Sequence, residues 1–317
     1  MNILITGIGA IIGYGIIESL KLSSLDVKII GTDIFPENYG KYQCDVFHQV
    51  PLTIDPDYFE FIQKIILENS VDLIFPGIEQ DLHFFNQNRT KFDTAIVLNK
   101  AELIELSKDK MEMYNFLKTN DFKHLIPTEE NLNFEVAKKR FGLPFVIKPK
   151  KSYASKGFYV INCEKDFINI AHQISSETLF QPYIGTNSEE YTVSIFGNGK
   201  GGYFDQIIMK RTLSAAGASE KTSVVLNDEP IESAINDLCK LFSPVGPTNF
   251  QFRKDKGLAY LLEINPRISS ACSIRSKFGY NEPLMCIDFY LQNQQPKIED
   301  KLAGRAVRFI SDFIIYE

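Results

Sequence analysis

The chain has no set of paired cysteines. Its five, Cys44, Cys163, Cys239, Cys272 and Cys286, are odd in number and widely scattered. With neither a Cys-x-x-Cys pair nor a Cys/His metal spacing, a disulfide framework and a zinc ribbon are excluded, and reduced, packed thiols are expected. Positive charge is also short: 34 Lys and Arg against 40 Asp and Glu leave a net charge of −6. Phosphate-backbone binding needs a clustered basic face, and Lys150-Lys151 and Lys138-Lys139-Arg140 are too brief to provide one, so no nucleic-acid partner is expected. No apolar stretch reaches membrane length, and the chain opens on Asn2-Ile3-Leu4-Ile5 rather than a basic segment followed by an apolar one. The expectation is a cytoplasmic protein without a membrane partner. The four histidines (His48, His83, His124, His172) fall in none of the motifs below and read as surface or packing residues.

What is present is ordinary globular material: 317 residues, 44% hydrophobic, enough for two compact domains. The most informative segment is Glu263-Ile264-Asn265-Pro266-Arg267. Tyr260–Ile264 reads as a strand stopped by Pro266. Glu263 and Asn265 are two apart and leave one face of it. Asn249-Phe250-Gln251-Phe252 reads as an antiparallel neighbour, turned at Lys254–Gly257. Gln251, Glu263 and Asn265 then bring three oxygen donors together beside the Arg267 guanidinium. Mg²⁺ takes hard oxygen donors, few from protein and the rest from phosphate and water, so the pattern points to a nucleotide–magnesium site. A hairpin with solvent-facing polar residues is the plain alternative.

The first hundred residues read strand, glycine turn, helix, strand. Asn2–Ile5 runs into Thr6-Gly7-Ile8-Gly9-Ala10-Ile11-Ile12-Gly13, and Val27–Gly31 ends at Thr32-Asp33. This is the outline of a dinucleotide-binding fold. The spacing is looser than Gly-x-Gly-x-x-Gly, and such a turn can simply build the fold. Val71–Phe75, between helical patterns at 57–69 and 82–89, completes an open α/β sheet. Tyr114-x-x-x-Lys118 matches a reductase dyad spacing but sits in an amphipathic helix where that spacing arises by chance. Further on, Phe145–Ile147 delivers Lys148 at a strand end, before the small-residue loop Ser152–Gly157. A lysine followed by such a loop suits a phosphate cover.

In this order the pieces resemble the ATP-grasp superfamily, most closely the branch related to the synthetase modules of carbamoyl phosphate synthetase. The motifs that carry the likeness are Phe145-Val146-Ile147-Lys148-Pro149, Glu190-Tyr191-Thr192-Val193 and Glu263-Ile264-Asn265-Pro266-Arg267. The resemblance implies an α/β and α+β chain: a Rossmann-like pre-ATP-grasp domain (1–105), then ATP-grasp subdomain A with the phosphate loop (106–177) and subdomain B with the metal site (178–317). It implies that ATP is held by Lys110, Lys148 and Lys210 on the phosphates, by Ser152, Ser155 and Gly157 in a mobile loop, by Gln181, Pro182, Tyr183 and Ile184 at the adenine hinge, and by Glu190 on the ribose. Mg²⁺, or Mn²⁺ in its place, would lie on Gln251, Glu263 and Asn265, with Arg267 and Lys210 catalytic. Gln181 and Gln251 stand where many relatives carry acids. With one module and no glutaminase segment, carbamoyl phosphate synthesis is not expected.

The activity so implied is a carboxylate–amine ligase working through an acyl phosphate. Its partners would be a small-molecule acid and amine, and a homodimer is compatible with the sequence. The substrates are expected between the two parts of the chain, with Glu79 on an ammonium and Arg275 and Arg267 on a carboxylate. The competing readings are a kinase or a non-catalytic ATP-binding protein of the same fold, and an NAD(P)-dependent oxidoreductase using the glycine turn.

Overall fold

The computed structural model describes residues 1–151, 157–213, 219–309 and 311–315. The first part is a five-stranded parallel sheet ordered β3-β2-β1-β4-β5, with β1 at Asn2–Thr6, β2 at Lys28–Asp33, β3 at Val46–Gln49, β4 at Leu73–Phe75 and β5 at Ala95–Ile96. Its central strands are nearly all apolar because both faces are covered. On one side Ile3 and Ile5 pack with Ile16 and Leu20 of helix α1 (Ile11–Lys21). On the other, Leu4 and Ile74 pack with Ile62 and Ile65 of α2 (Tyr58–Asn69) and Leu82 and Phe85 of α3 (Glu79–Asn88). Helix α4 (Ala101–Leu106) leads out of this domain.

The glycine turn is spent on packing. A Cβ at Gly13 would stand 2.3 Å from the Gly7 carbonyl oxygen, so only glycine lets α1 approach β1 this closely. The Gly9 N–H, which a pyrophosphate would need, donates to Asp33 Oδ2 at 2.8 Å. The acid at the tip of β2 thus fills the position that a dinucleotide-binding turn leaves open, and the oxidoreductase reading loses its anchor.

Helix α5 (Lys110–Thr119) is capped by Asp109, whose carboxylate accepts from the N–H groups of Met111 and Glu112. Tyr114 and Lys118 both lie within it, one turn apart. After β6 (Glu129–Glu130) and α6 (Phe134–Phe141), strands β7 (Phe145–Pro149), β8 (Tyr159–Ile161) and, beyond α7 (Glu164–Ile170), β9 (Thr178–Pro182) form a four-stranded antiparallel sheet ordered β6-β9-β7-β8. Strand β9, which begins at the expected boundary of 177/178, pairs with β6 and β7 and so lies in this sheet. A sequence break cannot reveal which of two sheets a strand joins.

The large antiparallel sheet has six strands in the order β14-β13-β10-β11-β12-β15. They are β10 (Glu190–Asn198), β11 (Tyr203–Leu213), β12 (Ser219–Val225), β13 (Val245–Asp255), β14 (Leu258–Asn265) and β15 (Arg305–Val307). One face is apolar and covered by α8 (Glu229–Phe242), whose Ile231, Ile235, Leu238 and Phe242 meet Val193, Ile195 and Phe250. The other carries Glu190, Thr192, Arg211, Arg253, Gln251 and Glu263. Short helices α9 (Cys272–Arg275) and α10 (Glu282–Cys286) return the chain to α1, where Ser19 Oγ meets Cys272 Sγ at 3.3 Å and the Asn281 amide donates to the Ser19 carbonyl at 2.8 Å. All five cysteines are free, with Cys239, Cys272 and Cys286 buried as expected, Cys44 half-buried and Cys163 exposed.

Candidate functional site

Register assembles the centre. In the β13–β14 hairpin Gln251 stands opposite Glu263 and Asn249 opposite Asn265, with the ladder shifting immediately after Gln251. A bulge of this kind re-aims side chains, and Glu263 and Asn265 stay neighbours, the Asn265 amide lying 3.4 Å from Glu263 Oε2. Lys110, the first residue of α5, places its ammonium 3.8 Å from Glu263 Oε1. On the other side Asn265 Oδ1 accepts from Arg267 at 3.2 Å, and Arg267 Nε donates to Glu79 Oε2 at 2.7 Å. A continuous polar row therefore runs from Lys110 through Glu263, Asn265 and Arg267 to Glu79, joining residues 188 apart in the chain.

Lys148, near the end of β7, faces the same centre. Burial, with the neighbouring Lys110 cation acting in the same direction, pulls its ammonium down to about 8, against the opposing charge of Glu263. Lys148, Lys110, Gln181, Thr128 and Glu263 line a narrow space of ≈ 40 Å³ between the two sheets. The Gln181 amide donates to Thr128 Oγ1 at 2.8 Å, and the Thr128 hydroxyl donates onward to the Ile126 carbonyl at 2.9 Å. Pro182, Tyr183 and Ile184 continue from it, half-buried, and the Tyr183 N–H points to the Pro144 carbonyl at 3.4 Å. Gly157 has φ +74°, and a Cβ there would meet the Pro149 ring at 2.8 Å. Ser152, Ser155 and the rest of 152–156 lie outside the described residues, as does 214–218.

Three of the expected side chains are engaged with protein partners in this structure. Lys210 is opposite Tyr191 in the ladder and so belongs to the apolar face with α8; its ammonium pairs with Glu189 Oε1 at 2.5 Å, away from the ligand row. The residue that reaches the centre from this strand is its neighbour Arg211, which donates to Gln251 Oε1 at 2.9 Å. Glu190, expected on the ribose, has both oxygens committed: Oε1 to Arg211 at 2.8 Å and Oε2 to Arg253 at 2.6 Å, all three side chains nearly buried. Arg275, expected at a substrate carboxylate, is fully buried, held by Ser269 at 2.9 Å, Thr192 at 2.9 Å and Glu282 at 3.3 Å. Burial also lowers the Arg211 guanidinium, opposed by Glu190. The signal for Arg211 was parity: it lies opposite Glu190, on the face that carries the ligand row.

Glu79 and Arg267 do meet, but as an ion pair. Burial works to raise the Glu79 carboxyl, yet Arg267, with His83 at 3.5 Å, holds it at about 2. His83, read from the sequence as a surface or packing residue, stands one helical turn from Glu79 and beside its carboxylate.

The oxygen set suits a hard cation. No group of three His, Cys, Asp or Glu side chains stands together among the described residues. The row instead offers the Glu263 carboxylate and the amide oxygens of Gln251 and Asn265, a neutral-rich set that fits an ion carrying phosphate and water as its remaining ligands.

A family profile described as ATP-grasp in the biosynthetic pathway with Ter operon matches residues 149–313, and a PylC-like N-terminal domain profile matches 3–98. No curated protein matches the chain. Solved structures share the fold at low identity. N5-carboxyaminoimidazole synthetase from Staphylococcus aureus, complexed with ADP, is 20% identical with TM-score 0.72, covering 94% of this chain and 78% of that one. The biotin carboxylase domain of Hydrogenobacter thermophilus 2-oxoglutarate carboxylase, in complex with ADP, magnesium and bicarbonate, is 16% identical with TM-score 0.72, covering 96% and 73%. L-amino acid ligase from Bacillus licheniformis is 16% identical with TM-score 0.67, covering 92% and 74%. Among the described residues no helix is long and apolar enough to cross a membrane.

Proposed function

The chain belongs to the ATP-grasp family, and from this premise we propose that it is an ATP-dependent ligase that joins a carboxylate to an amine through an acyl phosphate. The observation that carries the reading is the polar row Lys110–Glu263–Asn265–Arg267–Glu79 at the meeting of both sheets and the first domain. Phosphoryl transfer asks for charge neutralisation and in-line placement more than for a covalent catalyst. Lys148 and Lys110 hold the nucleotide phosphates. Gln251, Glu263 and Asn265 would hold Mg²⁺, which would supply neutralisation of the charge that develops on the transferring phosphoryl group.

A substrate carboxylate oxygen attacks the γ-phosphorus and ADP leaves. The amine nitrogen, its ammonium proton released to solvent, then attacks the acyl carbon and expels phosphate. Arg267 holds the acyl phosphate oxygens with its planar fork. Glu79 receives the ammonium once Arg267 turns to the phosphoryl group. Gln181 and the 182–184 backbone read the adenine, with Thr128 fixing the amide: because the Thr128 hydrogen is spent on Ile126, its oxygen must accept, so Gln181 turns its own carbonyl oxygen to the nucleotide. Glu190 positions Arg211 and Arg253.

The test is phosphate release across paired acids and amines, with product masses and hydroxylamine trapping. A hydroxamate and an amide support the ligase. Release that needs the acid alone and leaves a stable phosphorylated product would instead make the chain a kinase.

A further inference from the structure

The first domain holds a cavity of ≈ 410 Å³ that shares no lining residue with the nucleotide–metal cleft. It opens where the parallel strands end, over β1, β2 and β3, with Thr32, Asp33, Thr53, Tyr58 and Asp81 among its walls. Its size is that of a small-molecule site, and its position at the carboxyl ends of parallel strands is where open α/β sheets take ligands.

Two buried carboxylates face it without a cation. Asp33 is 7% and Asp81 2% exposed. Asp33 accepts from the N–H groups of Gly9 and Phe35, at 2.8 and 3.0 Å. Asp81 accepts from the hydroxyls of Tyr58 and Thr53, at 2.8 and 2.9 Å. These donors, and the Thr6 hydroxyl that also bonds Asp81, are uncharged, and among the described residues no Lys, Arg or His lines the cavity. Buried carboxylates are ordinarily paired or hydrogen-bonded, and among the described residues neutral donors alone bond these two. Burial pushes the Asp81 carboxyl up, with the Asp33 charge adding to it against the hydroxyl donors. Independently, the Thr32 hydroxyl, wholly buried in the same wall, has no hydrogen-bond partner among the described residues. The mouth is apolar: Phe35, Leu52 and Ile54 are exposed large hydrophobic side chains among the described residues.

We propose that this cavity is a second ligand site, for a primary amine with an apolar body. The ammonium donates to the Asp81 carboxylate and the Thr32 oxygen, which share one wall of the cavity, while Asp33, next in the strand, adds its negative charge from the other side. The body lies against Phe35, Leu52 and Ile54. A head group bearing phosphate or carboxylate finds no basic side chain among the described lining residues and meets the carboxyl groups of Asp33, Glu37 and Asp81. The same chemistry describes an amine that the ligase consumes and an amine that only regulates it. The site stands on binding alone and does not require the ligase reading.

Ligand-observed NMR and thermal shift on the full chain test it, with 2-phenylethylamine and hexylamine set against the shape-matched 3-phenylpropionate and hexanoate. The amines bind and the acids do not. Asp81→Asn, and separately Leu52→Trp at the solvent-exposed mouth, each weaken amine binding at least tenfold while keeping a cooperative melting transition. Equal binding of amines and acids, or amine binding that survives both substitutions, overturns the site. In turnover assays, an amine found in the product mass is a substrate and one that changes the rate without incorporation is an effector. Either places the amine in this cavity only if Leu52→Trp diminishes the effect, and an effect that persists in Leu52→Trp counts against it.

Discussion

Replacing Glu190 by glutamine separates two accounts of one carboxylate. It is 6% exposed and sits between two guanidiniums, Arg211 at 2.8 Å and Arg253 at 2.6 Å. Glutamine keeps the volume and one acceptor oxygen but removes the charge, leaving two buried cations facing each other. Breaking a buried pair from one side costs about 3–5 kcal/mol, chiefly because the abandoned charge stays desolvated. At roughly 2.1 cal/mol/K per residue, a chain of this length loses about 1.5 °C of Tm per kcal/mol, so a fall of about 4–8 °C is expected. Arg211 also loses its anchor and, with it, its hold on Gln251 Oε1, so kcat falls more than KM for ATP rises. Differential scanning calorimetry and steady-state kinetics on the same preparation give both numbers. An unchanged Tm with a purely raised KM for ATP would refute the buried-hub account and return Glu190 to the ribose.

Other outcomes follow from the same geometry. Arg211→Ala lowers kcat/KM by at least about a hundredfold, the scale of a lost charge contact at a phosphoryl-transfer centre, while Lys210→Ala stays within about threefold because its pair with Glu189 is exposed; equal losses in phosphate-release assays would contradict the assignment of faces. Lys148, at about 8 without nucleotide, is reprotonated when phosphates arrive, so ATP binding at pH 8.5 takes up about 0.7 of a proton; calorimetry in buffers of different ionisation enthalpy that shows no uptake would count against that role. Glu79 is held at about 2 in the fold, below its ordinary 4.5, so the stability it contributes is full above pH 5 and lost as pH falls toward 2. The difference in unfolding free energy between wild type and Glu79→Gln should shrink across that window, and a constant difference would disprove the pairing. Gly13→Ala should cost more stability than Gly9→Ala, since its Cβ would meet backbone at 2.3 Å rather than side-chain atoms at 3.0 Å, as thermal melts of both variants would report.

The elements were legible wherever hydrophobic period and local chemistry agreed. The span 110–119 reads as a helix from its pattern and the structure places it at Lys110–Thr119, because the Asp109 cap fixes where it starts. The β13–β14 hairpin was visible from Lys254–Gly257, where the turn places Lys256 and Gly257 at positive φ. What could not be read was how strands from distant segments line up. Lys210 and Arg211 are neighbours of like charge, and only the pairing of Glu190 with Arg211 decides which of them reaches the cleft. Arg275 looked available as a short segment past the metal strand, yet Glu282, Thr192 and Ser269 draw it into the core. The meeting of Glu79 with Arg267 depends on how α1 packs against α9 and α10, and no local pattern encodes that.

That meeting also sets a limit on modularity. Arg267 is aimed by a carboxylate that the first domain supplies, so its direction is not a property of the sheet that carries it. Grafting the ATP-grasp portion onto another N-terminal domain would transfer the nucleotide grip intact, while leaving Arg267 with only the Asn265 amide and the Ile268 carbonyl to orient it. Under the proposed ligase reading, substrate choice and the alignment of Arg267 would be inherited together in this chain. Its two parts are expected to exchange as a pair or not at all.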